Sequence, residues 1–100
     1  PGLIPQRKVA KVDSKIFDAY VGQYQHPQVV FTITREGEKL LLQQGTNPEK
    51  LDLLPESDGN FFTNQNRRLT YSFVKDEQGQ IAYLVIQLEG KETGRARKIK

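Results

Sequence analysis

Two tyrosines on either side of a glycine are the first side chains in this sequence that could carry chemistry: Tyr20, Gly22 and Tyr24 in the run Tyr-Val-Gly-Gln-Tyr. A pair of phenols can act as general acids or bind a ligand, but either role needs a base or a metal nearby, and the sequence indicates none. A structural joint is the alternative. Glycine lets the backbone change from helical to extended torsions, while each tyrosine buries its ring and bonds through its hydroxyl. The pattern favours the joint.

Serine chemistry is the second possibility to weigh. Acyl transfer in one large class of serine enzymes requires a Ser-x-x-Lys nucleophile, a Tyr-x-Asn or Ser-x-Asn element and a Lys-Thr-Gly strand. The serines are Ser14, Ser57 and Ser72, and we expect no Ser-x-x-Lys among them. Two near matches also fail, because residues 91–94 carry a glutamate inserted between lysine and threonine and residues 71–73 end in phenylalanine. The sequence therefore predicts a chain with no catalytic residue, which is not an enzyme by itself.

Metal and cofactor chemistry is not indicated either. The single histidine, His26, precedes Pro27 at a predicted turn, and a metal there would need at least two carboxylates to converge on it. We expect His26 to be exposed at that turn. Cysteine is absent, which excludes disulfides, thiolate catalysis and zinc–thiolate sites. We predict neither a metal nor a cofactor.

Length and composition bound the class of protein. One hundred residues with 36% hydrophobic and 27% charged side chains suit one small folded domain. No apolar run approaches the ~20 residues that cross a bilayer, and residues 1–12 lack the apolar centre of a signal peptide, so we expect a soluble chain with no membrane partner. A chain without cysteine fits the periplasm and the cytoplasm equally, and composition leaves the compartment open.

Basic residues crowd the last six positions, as Arg95, Arg97, Lys98 and Lys100, in a chain of net charge +3. Such a tail could touch nucleic acid or anionic lipid. A solvated last strand with alternating charges is the simpler interpretation, because charge on short domains usually serves solubility. We therefore do not expect a nucleic-acid partner, and we keep Arg95 and Arg97 as candidate surface-contact residues.

From Val29 onward, segments rich in β-branched and aromatic residues alternate with Gly, Asn, Asp and Pro clusters, which is typical of an antiparallel all-β domain. Polar loops with a late glycine, at 35–38 and 76–79, predict two β-hairpins. Further short strands, including residues 22–25, bring the count to about eight. Eight strands joined by hairpins can close into an up-and-down barrel, although a two-sheet sandwich would have the same pattern. We favour a small barrel over residues 13–100, forming a single domain.

A short helix is predicted before the strands. Asp13 or Ser14 can cap its start, after which Ile16, Phe17 and Tyr20 form one apolar face. Such a short helix needs a surface to pack against, and an open end of the barrel is the obvious partner. Alternation in three of the strands predicts an interior made of Val29, Phe31, Ile33, Leu69, Tyr71, Phe73, Leu84, Ile86 and Leu88.

The order of these pieces resembles one family along nearly the whole chain, from Val12 to Lys98. The pieces are the Tyr20 to Tyr24 motif after a short helix, the strand pair VVFTITREGEKLLLQ, Leu53-Leu54-Pro55 before an acidic turn and Phe61-Phe62, the hairpin FVKDEQGQIAYLVI, and Gly94-Arg95-Ala96-Arg97. They look like the lipocalin-like domain of unknown function that follows the catalytic domain of many serine β-lactamase-like hydrolases. The resemblance carries over no catalytic residue.

The resemblance implies that residues 1–12 are a linker from an upstream hydrolase domain, and their two prolines and basic residues suit an extended connector. Residues 7–12 could instead add a strand. The leading hypothesis is a non-catalytic accessory domain that stabilises or gates a hydrolase, in the same chain or another protein, or promotes self-association. Such a parent would place it in the periplasm or outside the cell, and otherwise it would be cytoplasmic.

Two other hypotheses come from different classes. An eight-stranded barrel can enclose one small apolar ligand, unless its aromatic residues fill the interior. A barrel resembling an OB-fold could bind single-stranded nucleic acid, for which the sequence pI of about 9.3 is the motive. Arg67 and Arg68 beside Tyr71 give that hypothesis slight support.

Overall fold

The structure is a computed structural model, and it describes residues 9–57 and 59–100. One 3-10 helix precedes eight strands. The helix spans Ser14–Ala19, and the strands are β1 Gly22–Gln25, β2 Val30–Glu36, β3 Lys39–Gln44, β4 Lys50–Ser57, β5 Asn60–Phe62, β6 Leu69–Lys75, β7 Ile81–Leu88 and β8 Lys91–Lys98. In the described residues, no helix is long and apolar enough to span a bilayer.

The eight strands form one closed antiparallel barrel in sequence order. The last strand pairs with the first, with Tyr24 opposite Lys98 and Gln25 opposite Arg97. The Ile99 amide also donates to the Gln23 carbonyl at 2.8 Å. The predicted all-β, up-and-down barrel is therefore confirmed, and the sandwich alternative is not what forms. Closure pairs both sheet edges and so removes exposed backbone that could promote aggregation.

The helix forms where its capping residue and apolar face predict, although it is a 3-10 helix. The Asp13 carboxylate accepts a hydrogen bond from the Lys15 amide at 3.0 Å, which satisfies one free amide of the first turn. The Tyr20 amide donates to the Phe17 carbonyl at 2.9 Å and closes the last turn. Phe17 and Tyr20 are both buried. Two turns are too few to be stable alone, so packing on the barrel holds them.

The core lies inside the barrel and is made by alternate residues of the strands. Eight of the nine predicted interior residues belong to the core cluster or pack against it. Leu88 is the exception, because it is the last residue of β7 and its side chain is 41% exposed. Its prediction as an interior residue is wrong since alternation alone does not show where a strand leaves the barrel.

Three apolar side chains are buried on the outer face of the barrel, at strand positions next to residues that point into the core. Leu41, Phe62 and Val85 are at most 6% exposed, yet none belongs to the core cluster. The strand register places Leu41 between Thr34 and Asp52, and the Lys50–Glu36 ion pair at 3.3 Å crosses the same three strands. Long polar side chains can cover apolar surface in this way while their charged ends stay in water.

Phe62 has its own cover. The Arg67 guanidinium lies 5.3 Å from the centre of the Phe62 ring, and Asn64 accepts two hydrogen bonds from that guanidinium. A cation over an aromatic face is attracted by the ring electrons. The loop after β5 thus shields an aromatic residue on the outside of the barrel.

The segment before the helix follows the edge of β4. Residues 9–12 form no strand, but the Ala10 amide donates to the Pro55 carbonyl at 2.7 Å. Proline has no amide hydrogen, so this position of β4 needs no acceptor from a neighbour. The predicted linker or strand at residues 1–12 falls partly on residues 1–8, which lie outside the described residues, as does Asp58 of the predicted acidic turn.

Candidate functional site at the helix end of the barrel

The predicted tyrosine motif lies where the helix passes into β1. Tyr20 follows the last helical residue, and Tyr24 is a fully buried residue of β1. The Tyr24 hydroxyl donates a hydrogen bond of 2.7 Å to the Tyr20 carbonyl. This bond satisfies a carbonyl at the end of the helix and ties the helix to the first strand.

Five aromatic rings converge at this end of the barrel, which we call the helix end. Tyr20 stacks on Phe73 with ring centres 4.4 Å apart and meets Phe61 edge-on at 5.5 Å. Phe17 also meets Phe61, at 5.8 Å, and Tyr24 meets Phe73 at 5.7 Å. All five rings are at most 7% exposed. Edge-to-face and offset-stacked pairs are the preferred aromatic geometries, so the rings fill this space with favourable contacts.

Gly22 is required by a close approach as well as by its backbone torsion. Its φ is 151°, which side chains rarely adopt, and a Cβ built on it would collide with the Lys100 carbonyl oxygen. The Gln23 amide donates to the same carbonyl at 3.3 Å. The sequence indicates a glycine joint here. The close approach of Lys100 to Gly22 could not be predicted from the motif.

Burial determines the protonation of the two inner tyrosines. Burial raises the pKa of Tyr24 strongly, with a smaller contribution from the neighbouring Tyr20 phenol, and burial also raises the pKa of Tyr71. Both phenols are therefore neutral near pH 7. A phenol that holds its proton this tightly is poorly matched to acid–base catalysis at that pH. Tyr24 is suited instead to the fixed hydrogen bond that it donates to Tyr20.

The candidate surface residues Arg95 and Arg97 are exposed residues of β8 and are not part of the tyrosine motif. Arg95 is bonded to Glu92 at 3.0 Å, and its guanidinium lies 5.1 Å from the centre of the Tyr83 ring. The Glu92 hydrogen bond raises the pKa of Arg95. Arg97 is opposite Tyr83 in the strand register and forms no ion pair with any described residue. We call Tyr83, Arg95 and Arg97 the β8 arginine face.

His26 lies in a turn, as expected, but it is partly buried, whereas we expected it to be exposed. The His26 Nδ1 accepts a hydrogen bond from the Gln28 amide at 3.2 Å, and the ring meets Phe31 edge-on at 5.9 Å. A Cβ on Gly94 would come within 3.0 Å of its Nε2, so the ring lies directly against the β8 backbone. The expectation of exposure is wrong because the turn folds the ring onto the barrel. Across residues 9–57 and 59–100, no group of three or more His, Asp and Glu side chains could hold a metal.

The expectation that no serine has Ser-x-x-Lys spacing is wrong, since Ser72-Phe73-Val74-Lys75 has that spacing. The fold places it on strand β6, where residues three apart point to opposite faces. The Ser72 hydroxyl donates to the Asn60 side chain at 2.7 Å, while Lys75 lies beside Ile16 and Tyr20 at the helix end. An activated serine needs its base within hydrogen-bond reach, which this arrangement does not provide.

A groove opens where the segment before the helix passes the start of β3 and the middle of β4. It has a volume of about 500 Å³ and is lined by residues 9–13, Phe17, residues 38–40 and residues 52–55. We call it the amino-terminal groove. Sequence reasoning missed it because it depends on how residues 9–13 lie against β4, which no local pattern encodes.

The fold and this site define a class of protein: a small closed antiparallel β-barrel with aromatic rings packed at its helix end. Within that class the chain belongs to the family described as "Domain of unknown function (DUF3471)", whose model matches residues 6–99. The family's description names no catalytic activity. No curated protein matches the chain.

Proposed function

We propose that this chain is a non-catalytic accessory domain of a larger hydrolase of the serine β-lactamase-like class. It stabilises the catalytic domain, controls access to its active site or promotes oligomerisation. The observation that carries the proposal is the packed helix end, where five buried aromatic rings contact one another inside the barrel. Function is then left to the outer surface, where contacts with another domain are made.

The packing of the interior weighs against a ligand carrier. Ligand pockets are concave and present a few polar groups that orient the ligand. Each buried side-chain polar atom in the described part of the chain already has a hydrogen-bond partner, and the central side chains Ile33, Leu42 and Leu84 are fully buried. A ligand would have to displace well-packed rings, which costs the contacts that hold the helix in place.

The fold does not support the hypothesis that this chain binds single-stranded nucleic acid as an OB-fold does. An OB-fold is a five-stranded Greek-key barrel, whereas this barrel has eight strands in sequence order. Its best surface would be the β8 arginine face, and there Arg95 is already paired with Glu92. On this face only Arg97 is without an ion pair to a described residue, whereas nucleic-acid-binding proteins typically carry a continuous stripe of basic side chains.

The link to a serine β-lactamase-like hydrolase rests on the resemblance set out in the sequence analysis. In this proposal the domain shares its parent's compartment, the periplasm or the cell exterior. Nothing in the proposal assigns a reaction to the domain itself, and the Ser72–Lys75 spacing supplies no nucleophile to it.

Deletion tests this function. Residues 13–100 are removed from a polypeptide that carries both the hydrolase domain and this domain, and the melting temperature, kcat/KM and oligomeric state are compared with those of the intact polypeptide. We expect at least one of the three to change, because an accessory domain acts through contacts that deletion removes. If all three stay the same, the proposed function is wrong.

A further inference from the structure

The β8 arginine face carries two guanidinium groups beside one aromatic ring. Arg95 and Arg97 are two residues apart on β8, so their side chains point to the same face, with Cα atoms roughly 7 Å apart. Tyr83 is opposite Arg97 in the strand register, and the Arg95 guanidinium lies 5.1 Å from the centre of its ring. A guanidinium is planar and can form two parallel hydrogen bonds with one carboxylate.

Arg95 is held in place by its neighbours and still has one edge free. Glu92 accepts hydrogen bonds from its Nε at 3.3 Å and its Nη2 at 3.0 Å, which together occupy one edge of the guanidinium. The Nη1 group forms no hydrogen bond with a described residue. A side chain that is already fixed loses less conformational entropy when it binds a ligand than a mobile one.

Arg97 and Tyr83 add further free donors next to apolar surface. Within residues 9–57 and 59–100, neither the Arg97 guanidinium nor the Tyr83 hydroxyl has a hydrogen-bond partner. Val74 is opposite Tyr83 on the neighbouring strand, and its side chain is 39% exposed. Tyrosine and arginine are among the residues that carry most of the binding energy at protein interfaces.

The charges of this face indicate which kind of anion it fits. Arg97 forms no ion pair with a described residue, so it attracts a negative group. Glu92 offsets the charge of Arg95 and repels a second negative charge beside it. The face therefore suits a single carboxylate better than a phosphate chain. An apolar side chain next to that carboxylate would contact Val74 and Tyr83.

We propose that the β8 arginine face binds an acidic segment of a partner protein, in which aspartate or glutamate residues alternate with apolar ones. One carboxylate of the segment binds between the Arg97 guanidinium and the free edge of Arg95, and the Tyr83 hydroxyl donates to it. An adjacent apolar side chain packs on Val74. This inference goes beyond the proposed function, because it gives the chemistry of the partner segment whether or not the partner is a hydrolase.

Titration of the ¹⁵N-labelled chain with short peptides tests this surface. The probe is a blocked peptide of alternating glutamate and leucine, and the control peptide has glutamine in place of glutamate. Arg95→Lys and Arg97→Lys keep the positive charge but lose the paired hydrogen bonds. Lys39→Gln is the control variant, since it removes one exposed charge from β3 and leaves the face intact.

We expect the glutamate peptide to give saturable shifts of the Tyr83, Arg95 and Arg97 amide signals. Each arginine-to-lysine change should raise the dissociation constant about tenfold, because one bidentate contact is lost. Lys39→Gln should change it less than about twofold. All titrations are made at one ionic strength.

Three results would overturn the proposal. Absent shifts, or equal shifts with the glutamine peptide, would show that no carboxylate is recognised at this face. Unchanged binding by both lysine variants would show a general attraction of charges without a built site. Tighter binding of a short single-stranded oligothymidine than of the glutamate peptide would show that the face prefers nucleic acid.

Discussion

The helix end and the β8 arginine face use tyrosine in opposite ways. At the helix end, Tyr20 and Tyr24 are buried among phenylalanine rings, and the Tyr24 hydroxyl is committed to a backbone carbonyl. On the β8 face, Tyr83 is partly exposed and lies under the Arg95 guanidinium. The first arrangement fixes one geometry and excludes water, while the second leaves the tyrosine ring and both arginine side chains at the surface. The comparison separates residues that hold the barrel together from residues that can be changed without unfolding it.

The largest effect is expected from Phe61→Ala. Phe61 is fully buried and contacts Phe17, Tyr20 and Phe73, so truncation leaves a cavity that its neighbours cannot fill. We expect a loss of about 3–5 kcal/mol in the free energy of unfolding, measured by urea denaturation. Val74→Ala on the outer face, where the parent side chain is 39% exposed, is the control and should change little. Equal losses in the two variants would contradict the account of the helix end.

The second prediction compares two glycine-to-alanine variants, one that adds a steric clash and one that adds only backbone strain. Gly22→Ala places a Cβ against the Lys100 carbonyl, whereas Gly79→Ala, at φ 82°, places one in open space. We expect Gly79→Ala to lose roughly 1 kcal/mol from its torsion alone and Gly22→Ala to lose more, about 2–3 kcal/mol. Thermal melting of both variants gives the comparison. A Gly22→Ala variant as stable as Gly79→Ala would show that Lys100 does not constrain this joint.

The third effect is a pH dependence confined to the buried phenols. The folded pKa of Tyr24 is raised above its ordinary value of 10.0, so the stability that it contributes is complete below pH 10 and is lost as pH rises beyond that value. Each such phenol lowers the free energy of unfolding by up to about 1.4 kcal/mol per pH unit above its unfolded pKa.

Tyr24→Phe isolates this contribution. At pH 7 the variant should be less stable by about 1–1.5 kcal/mol, because it loses the hydrogen bond to the Tyr20 carbonyl. Above pH 10 the gap should narrow, since the variant has no Tyr24 phenol to ionise on unfolding. Urea denaturation at pH 7, 10 and 11 follows the gap, with Tyr83→Phe as the outer-face control. A gap that widens with pH would show that the folded pKa is not raised.

The smallest effect is expected on the β8 arginine face. Arg95→Ala removes an exposed ion pair and a contact with Tyr83, and exposed pairs are screened by water and salt. The melting temperature should therefore stay within experimental error of the parent value. A clear fall in melting temperature would mean that this face belongs to the structural part of the molecule and would weaken the comparison.

Local patterns were sufficient to predict about eight antiparallel strands, because hairpin loops and strand alternation are each encoded within a few residues. The same pattern also fits a two-sheet sandwich, so it favoured the barrel without determining its closure. The capped helix and the Tyr20–Tyr24 joint follow from the same kind of signal. Contacts that depend on closure could not be predicted. The Lys100 carbonyl over Gly22 and the His26 ring on Gly94 both join the start of the barrel to its end.

The outer surface was also beyond prediction. In the run Leu40-Leu41-Leu42, only the fold shows that the middle residue is buried too, on a strand whose two neighbours are joined by the Lys50–Glu36 ion pair. The amino-terminal groove likewise arises from the bond between Ala10 and Pro55, two residues far apart in sequence. Arg95 and Arg97 are exposed, and their role as contact residues stays a prediction. The pairing of Arg95 with Glu92 and Tyr83 could be seen only in the folded chain.

The central claim is that the barrel interior is filled and that function lies outside it. Methyl-labelled NMR spectra of the domain, recorded during a titration with dodecanoate, test this most directly. The account predicts that the methyl signals of Ile33, Leu42 and Leu84, which are fully buried, stay unchanged up to millimolar ligand. Saturable shifts of these signals at one equivalent would show a ligand inside the barrel and would contradict the account.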